Sequence, residues 1–218
     1  AGDWSSDVCS SDLSCLTREE ALRIRKGKEV PRKKICKLTL IVAAVFVLLT
    51  AAFGFYFYSD GSAAEQILSV YTQSVQSVAN EDGSLSYIGI VMNNLYACGL
   101  CIGLGLVPFL FLTAWGVISN CMVIGAVLGY GSASGVLPPF RAIVFGLLPH
   151  GIFELPAIFL SMAMGLYLCR TLSLKILGRA KEERIMPMLN AFAKTFVLVI
   201  VPLVVVAAVV ECCVTPLL

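Results

Sequence analysis

The stretch "LLPHGIFELPAIF", residues 147–159, holds the single histidine of the chain and, four residues later, a glutamate, inside an otherwise apolar run. That spacing sets His150 and Glu154 one turn apart on the same face of a helix. Pro149 and Pro156 flank the pair and Gly151 lies between them, so the helix is expected to break here: each proline lacks a donor and crowds the carbonyl four residues upstream. A third ionisable group, Glu211, stands near the end of the last apolar run, and Asn93 and Asn94 enter an earlier one. Counting about 1.5 Å per residue inward, His150, Glu211 and the asparagines reach comparable depths from the same side, with Glu154 a turn deeper. Ionisable groups at such depth are costly in hydrocarbon and face a bundle interior or a water-lined path.

Three uses of this cluster stay open at this point. It can be a structural polar core that satisfies carbonyls freed by the prolines, a solute or proton path, or a reactive site. Chemistry is the least favoured. One histidine cannot complete a zinc-peptidase ligand set, and the chain has no G-x-S-x-G or S-x-x-K nucleophile motif. Two acids sunk among apolar helices offer no water-open sugar cleft. Cys98 and Cys101 form a C-x-x-C with no second pair at zinc spacing. The expectation is therefore no catalytic residue, no metal, no cofactor and no enzyme.

The elements that must position these groups follow from composition. The chain is 58% hydrophobic and 14% charged, with a mean hydropathy of +0.88, far from the balance of soluble domains. The expected class is all-α, a polytopic transmembrane bundle of about five spans, one of them broken by proline. Runs long enough to cross ~30 Å of hydrocarbon fall at about 38–56, 89–112, 118–133, 142–169 and 195–216, making 38–218 a membrane domain. No charge occurs from Ile88 to Tyr130, which suits two spans and a tight turn, placed here near Thr113 to Ser119. Gly99 with Gly103 and Gly125 with Gly129 have the G-x-x-x-G spacing that lets helices approach, expected within this hairpin.

Charge placement orients the spans. Ser14–Lys37 carries nine Lys/Arg against three Glu and Arg170–Arg184 five against two, whereas Ser59–Tyr87 has no Lys/Arg and four acids. The basic segments, including 14–37, are expected in the cytoplasm, and four intervening crossings agree with that. Five spans then give a cell-membrane protein with a cytoplasmic N-terminus and an extracytoplasmic C-terminus. The basic residues are explained by topology, so nucleic acid is not an expected partner; the lipid bilayer is.

Two soluble pieces resemble short helices. Thr17 with Glu20 and Ser62 with Glu65 have capping-box spacing. After the second, Ile67, Tyr71, Val75 and Val78 form one apolar stripe, as expected of an amphipathic helix outside the membrane that covers the bundle or docks a partner. At the start of the chain, "DWSSDVCSSDL", Asp3 to Leu13, matches the in-frame translation of a short-read sequencing adaptor. Residues 1–13 are accordingly expected to be non-biological, with the true N-terminus missing.

The segments "MNNLYACGLCIGLG", "NCMVIGAVLGYG", "LPHGIFELPAIFLSMAMGL" and "AAVVECCVTP" together resemble the stage II sporulation protein M family over about Met92 to Pro216. Cys121 departs from the pattern, in which a glycine usually follows Asn120. The resemblance implies a five-span membrane scaffold that, in spore formers, anchors the peptidoglycan-degrading stage II sporulation proteins D and P during engulfment. Many relatives belong to organisms that do not sporulate. The rival expectation is a small-solute or proton-coupled transporter whose path is lined by His150, Glu154 and Glu211.

Overall fold

The computed structural model describes residues 32–76, 86–135, 138–179 and 184–213. Residues 1–13, most of the basic segment and the Thr17–Glu20 pair lie outside these. Among the described residues every regular element is helical, and five helices are long and apolar enough to cross a membrane. They are α1 (Arg32–Ser59), α3 (Tyr87–Leu104), α4 (Thr113–Ala133), α5 (Pro139–Ile176) and α6 (Ile185–Cys213); α2 (Gly61–Gln76) is the short helix after the first span.

The spans are apolar on all sides, and burial selects only one face of each. In α1, Val42, Phe46, Thr50 and Phe57 are buried, while Leu40 and Leu48 are about 70% exposed. An apolar face without a protein neighbour is what lipid-facing helices present, because in hydrocarbon every backbone group must be satisfied within the helix. The middle of α5 is the exception: residues 161–165 are buried all round, and Met162, Met164 and Leu168 sit at the centre of the bundle.

Close approaches are made by glycines, though not all those the spacing suggested. A Cβ on Gly129 would overlap the Gly54 carbonyl oxygen and stand 2.8 Å from the Tyr58 nitrogen, and one on Gly125 would lie 2.6 Å from the Phe53 Cβ. This pair therefore packs α4 against α1, not against α3 as expected. Gly99 meets only the tip of Phe196 at 4.0 Å and Gly103 meets nothing within 4 Å, so the first G-x-x-x-G makes no close crossing. The tight contact of α3 is instead with α5, where Gly105 lies directly on Gly165.

That contact also relocates the expected turn. The reversal occupies residues 105–112, not Thr113 to Ser119, so the second span stops at Leu104 instead of 112 and the third starts at Thr113 instead of 118. Its geometry is imposed by α5. Phe109 donates its backbone N–H to the Ser173 hydroxyl at 2.8 Å, and the Thr113 hydroxyl donates to the Cys101 carbonyl at 2.9 Å beside Gly165. Phe109 and Phe111 take left-handed backbone with φ of 66° and 46°, rare for bulky residues.

The proline-bearing span is one helical run whose winding changes. Residues Ala142–Leu147 form a π-helical segment, after which Pro149 falls in the first turn of regular α-helix. The same device recurs in α6, where a π segment at Phe196–Ile200 precedes Pro202. In each case the N–H just ahead of the proline reaches back five residues, Leu148 to Ile143 and Val201 to Phe196. The wider turn relieves the clash between the ring and the carbonyl four residues upstream. Pro156 sits inside regular helix with its ring exposed.

Outside the spans, α2 is capped by Asp60, whose Oδ1 accepts from the Ala63 N–H at 3.1 Å and the Ser62 hydroxyl at 2.8 Å. These bonds hold the Asp60 carboxyl below its ordinary range, the Ala63 N–H contributing most. The expected Ser62–Glu65 capping box does not form, because helix α2 begins one residue before Ser62 and Glu65 accepts instead from the Tyr130 hydroxyl at 2.7 Å. Ala64, Ile67 and Leu68 dock α2 on α4 beside Phe57 and Ala126. Of the expected stripe, Val78 and the Val75 side chain lie outside the described residues.

Replacing Gly129 with leucine should force α1 and α4 apart and lower the thermal unfolding midpoint in detergent, by roughly 1–3 kcal/mol of overpacking. Gly103→Ala, with open space around it, should leave the midpoint unchanged or raise it slightly. Equal melting of the Gly129→Leu and wild-type proteins would show that the crossing carries no stability.

Candidate functional site

A cavity of about 320 Å³ opens between α2, α3, α4, α5 and α6. Asn93, Asn94, His150, Glu154 and Glu211 all line it, so the structure brings the expected polar group to one place. Three helices carry these residues: α3 its first-turns pair, α5 the His–Glu pair after the π segment, and α6 the glutamate near its end. Gly151, also expected at the helix break, is buried on the same wall. A Cβ there would meet only leucine side chains at 3.6 Å or more, so this glycine keeps space for the cavity and does not serve a helix crossing.

Three further polar residues line the cavity that sequence reasoning did not assign to it. Ser119 and Asn120 come from α4, where the Asn120 side-chain amide donates to the Gly116 carbonyl at 2.8 Å. Placing the turn at Thr113–Ser119 had put this pair at a helix end; their position mid-run in a charge-free stretch was the available signal. Tyr71 reaches the cavity from α2. In the sequence it belongs to the stripe expected to cover the bundle or dock a partner. Burial first, then the charges of Glu211 and Glu154, hold its phenol above the ordinary tyrosine range.

The cluster is not a set of ties to broken backbone. The Nδ1 atom of His150 is buried without any hydrogen-bond partner. Among the described residues, neither Glu154 nor Glu211 hydrogen-bonds or ion-pairs with protein, although the two carboxylates are near enough to interact electrostatically. At Pro149 the π turn reroutes the backbone bond, so of the three uses left open by the sequence the tie to carbonyls freed there is not needed, and His150 and Glu154 line the cavity. Asn94 is 8% exposed and likewise makes no hydrogen bond to a described residue.

No group of three or more His, Cys, Asp or Glu residues that could hold a metal ion occurs among the described residues. Cys98 and Cys101 are buried free thiols. What the arrangement offers is a recess with several acceptors, two carboxylates and no Lys or Arg in its wall, backed by apolar side chains of α3, α4 and α5.

Comparison with known proteins bears on the whole of this architecture. The family model for "Stage II sporulation protein M" matches residues 43–216, a span that takes in every residue lining the cavity. An uncharacterised protein of Methanocaldococcus jannaschii is 27% identical over 181 residues, covering 83% of this chain and 95% of its own length. No solved structure matches.

The position of Tyr71 over the carboxylates has a spectroscopic consequence. In a difference titration of phenolate absorbance, wild type minus Tyr71→Phe, the missing phenol should ionise above the ordinary tyrosine value. Glu211→Gln should move it down, because removing a negative neighbour favours phenolate. An ordinary value in wild type, unmoved in Glu211→Gln, would separate α2 from the cavity.

Proposed function

This chain belongs to the stage II sporulation protein M family, and from that premise we propose that it is a non-enzymatic scaffold of the cell membrane that anchors peptidoglycan-remodelling partners. The observation that carries the proposal is α2. Only one of its faces is docked on α4; Gln66, Ser69, Thr72 and Gln73 are exposed on the remainder. Among the described residues it has no lysine or arginine, as suits a segment on the extracytoplasmic side, where wall-directed partners work.

The orientation in this proposal rests on charge. Arg32, Lys33, Lys34 and Lys37 begin α1, and Arg170, Lys175 and Arg179 end the fourth span. An even number of crossings joins the two sets, so both lie on the cytoplasmic side in this reading, with α2, the mouth of the cavity and the end of α6 on the other. A single α2 face presents too little surface for a standard interface of ~800 Å² per partner, so the adjoining span ends would share the contact.

A second reading, a solute or proton path, is favoured by the cavity itself. His150, Glu154 and Glu211 face one recess at membrane depth, and intramembrane ionisable groups commonly mark such paths.

The two readings separate experimentally. The scaffold predicts that Gln66→Lys with Gln73→Lys, which leaves the docked face intact, at least halves recovery of wall-remodelling hydrolases with the purified protein while its melting is unchanged. Undiminished recovery would count against α2 as the contact. The path predicts substrate or proton flux in proteoliposomes that Glu154→Gln reduces about tenfold or more, a change of 1.4 kcal/mol in barrier. Flux indistinguishable from protein-free vesicles would remove it.

A further inference from the structure

The cavity wall carries more acidic than basic side chains. Two carboxylates, Glu154 and Glu211, face it, and neither is hydrogen-bonded or ion-paired with a described group. No lysine or arginine lines it; the other titratable groups facing it are His150 and Tyr71. Carboxylates partly withdrawn from water are neutralised by a proton or compensated by a positive charge that brings donors for their lone pairs, and Glu154 and Glu211 are both half-buried. One unused polar group in the same wall points the same way: Asn94, 8% exposed, has no hydrogen-bond partner among the described residues.

We propose that this cavity is a binding site for a primary ammonium group carried on a short apolar body, with Glu154, Glu211 and Asn94 as its acceptors. The charge selects the class. An anion would meet two carboxylates and no Lys or Arg, and an uncharged solute would leave the carboxylates to take up protons, whereas a cation compensates them directly. The donor set selects ammonium over a metal ion, because an ammonium presents three donors that amide and carboxylate oxygens can share, whereas the described His, Cys, Asp and Glu side chains are not grouped for coordination. The size and lining select the body. A volume of about 320 Å³ admits a small molecule, and Ile90, Val123, Ile124, Leu155 and Ile158 form the wall against which a short alkyl chain would lie. The Tyr71 ring at the α2 side adds an aromatic group of the kind that favours cations.

The same chemistry has two sources, a free alkylamine or the amine of a lipid headgroup such as phosphatidylethanolamine. The site does not require passage across the membrane, so it holds whether or not the protein conducts, and it is independent of what α2 docks.

The test is calorimetric titration of propylammonium into the full-length protein in nanodiscs of phosphatidylglycerol alone. Saturable binding is expected with propylammonium and none with propionate or propanol. Glu154→Gln should weaken binding about tenfold or more, about 1.4 kcal/mol. Gly151→Leu, which extends a side chain into the recess from a position with no backbone neighbour in the way, should abolish it while melting stays near wild type. Nanodiscs containing phosphatidylethanolamine distinguish the sources: weaker apparent propylammonium binding there identifies the headgroup as occupant, and unchanged binding identifies a free amine. Absence of saturable binding in both lipids, equal binding of propionate, or full affinity in a folded Glu154→Gln protein would overturn the proposal.

Discussion

Polar side chains inside a membrane bundle have nowhere to turn but toward one another, and the rest of this structure is arranged around that constraint. Asn93, Asn94, Ser119, Asn120, His150, Glu154 and Glu211 come from four spans, and all face one cavity. Against hydrocarbon each ionised member would cost several kcal/mol. Facing inward, they share a recess whose charge balance is completed by a proton or a bound cation. This requirement turns one face of each cavity-lining span inward, while α1, which lines no part of the cavity, packs through the Gly125 and Gly129 crossing and leaves a broad apolar face for lipid.

Such an arrangement holds only if the helices are kept at defined distances and angles, and two devices do this. Glycines let backbones touch at two crossings, Gly125 and Gly129 on α1 and Gly105 on Gly165. Where van der Waals contact is the main attraction between spans, a backbone contact of this kind sets the crossing more firmly than long side chains can. The other device is the π turn ahead of Pro149 and of Pro202. Each turns the helix about its axis by a fraction of a residue, and each lies in a span that supplies a carboxylate to the cavity. The prolines therefore act on the cavity indirectly, by resetting the face that the following helix presents.

The two ends of the proposed function meet at α2. Tyr71 of this helix lines the cavity, and Gln66, Ser69, Thr72 and Gln73 are exposed. Family membership supports the membrane architecture.

The number of spans, the all-helical class and the polar residues that must share an interior were legible in the sequence, because the cost of placing a residue in hydrocarbon is a property of that residue and its near neighbours. The five runs and the His150–Glu154–Glu211 set follow from it. Helix partners were not legible. Gly99–Gly103 and Gly125–Gly129 have identical spacing, yet only the second makes a close crossing, since a glycine matters only where another backbone arrives. The reversal at 105–112 was hidden for the same reason: its shape is held by Gly165 and Ser173 of a distant span. Neutral residues such as Ser119, Asn120 and Tyr71 are tolerated in turns, at interfaces and in cores alike, so their sequence context carried no decision. Sequence by itself determined what had to be buried; tertiary structure decided against what, because contacts between helices depend on which backbones can approach, and that is a property of pairs of segments far apart in the chain.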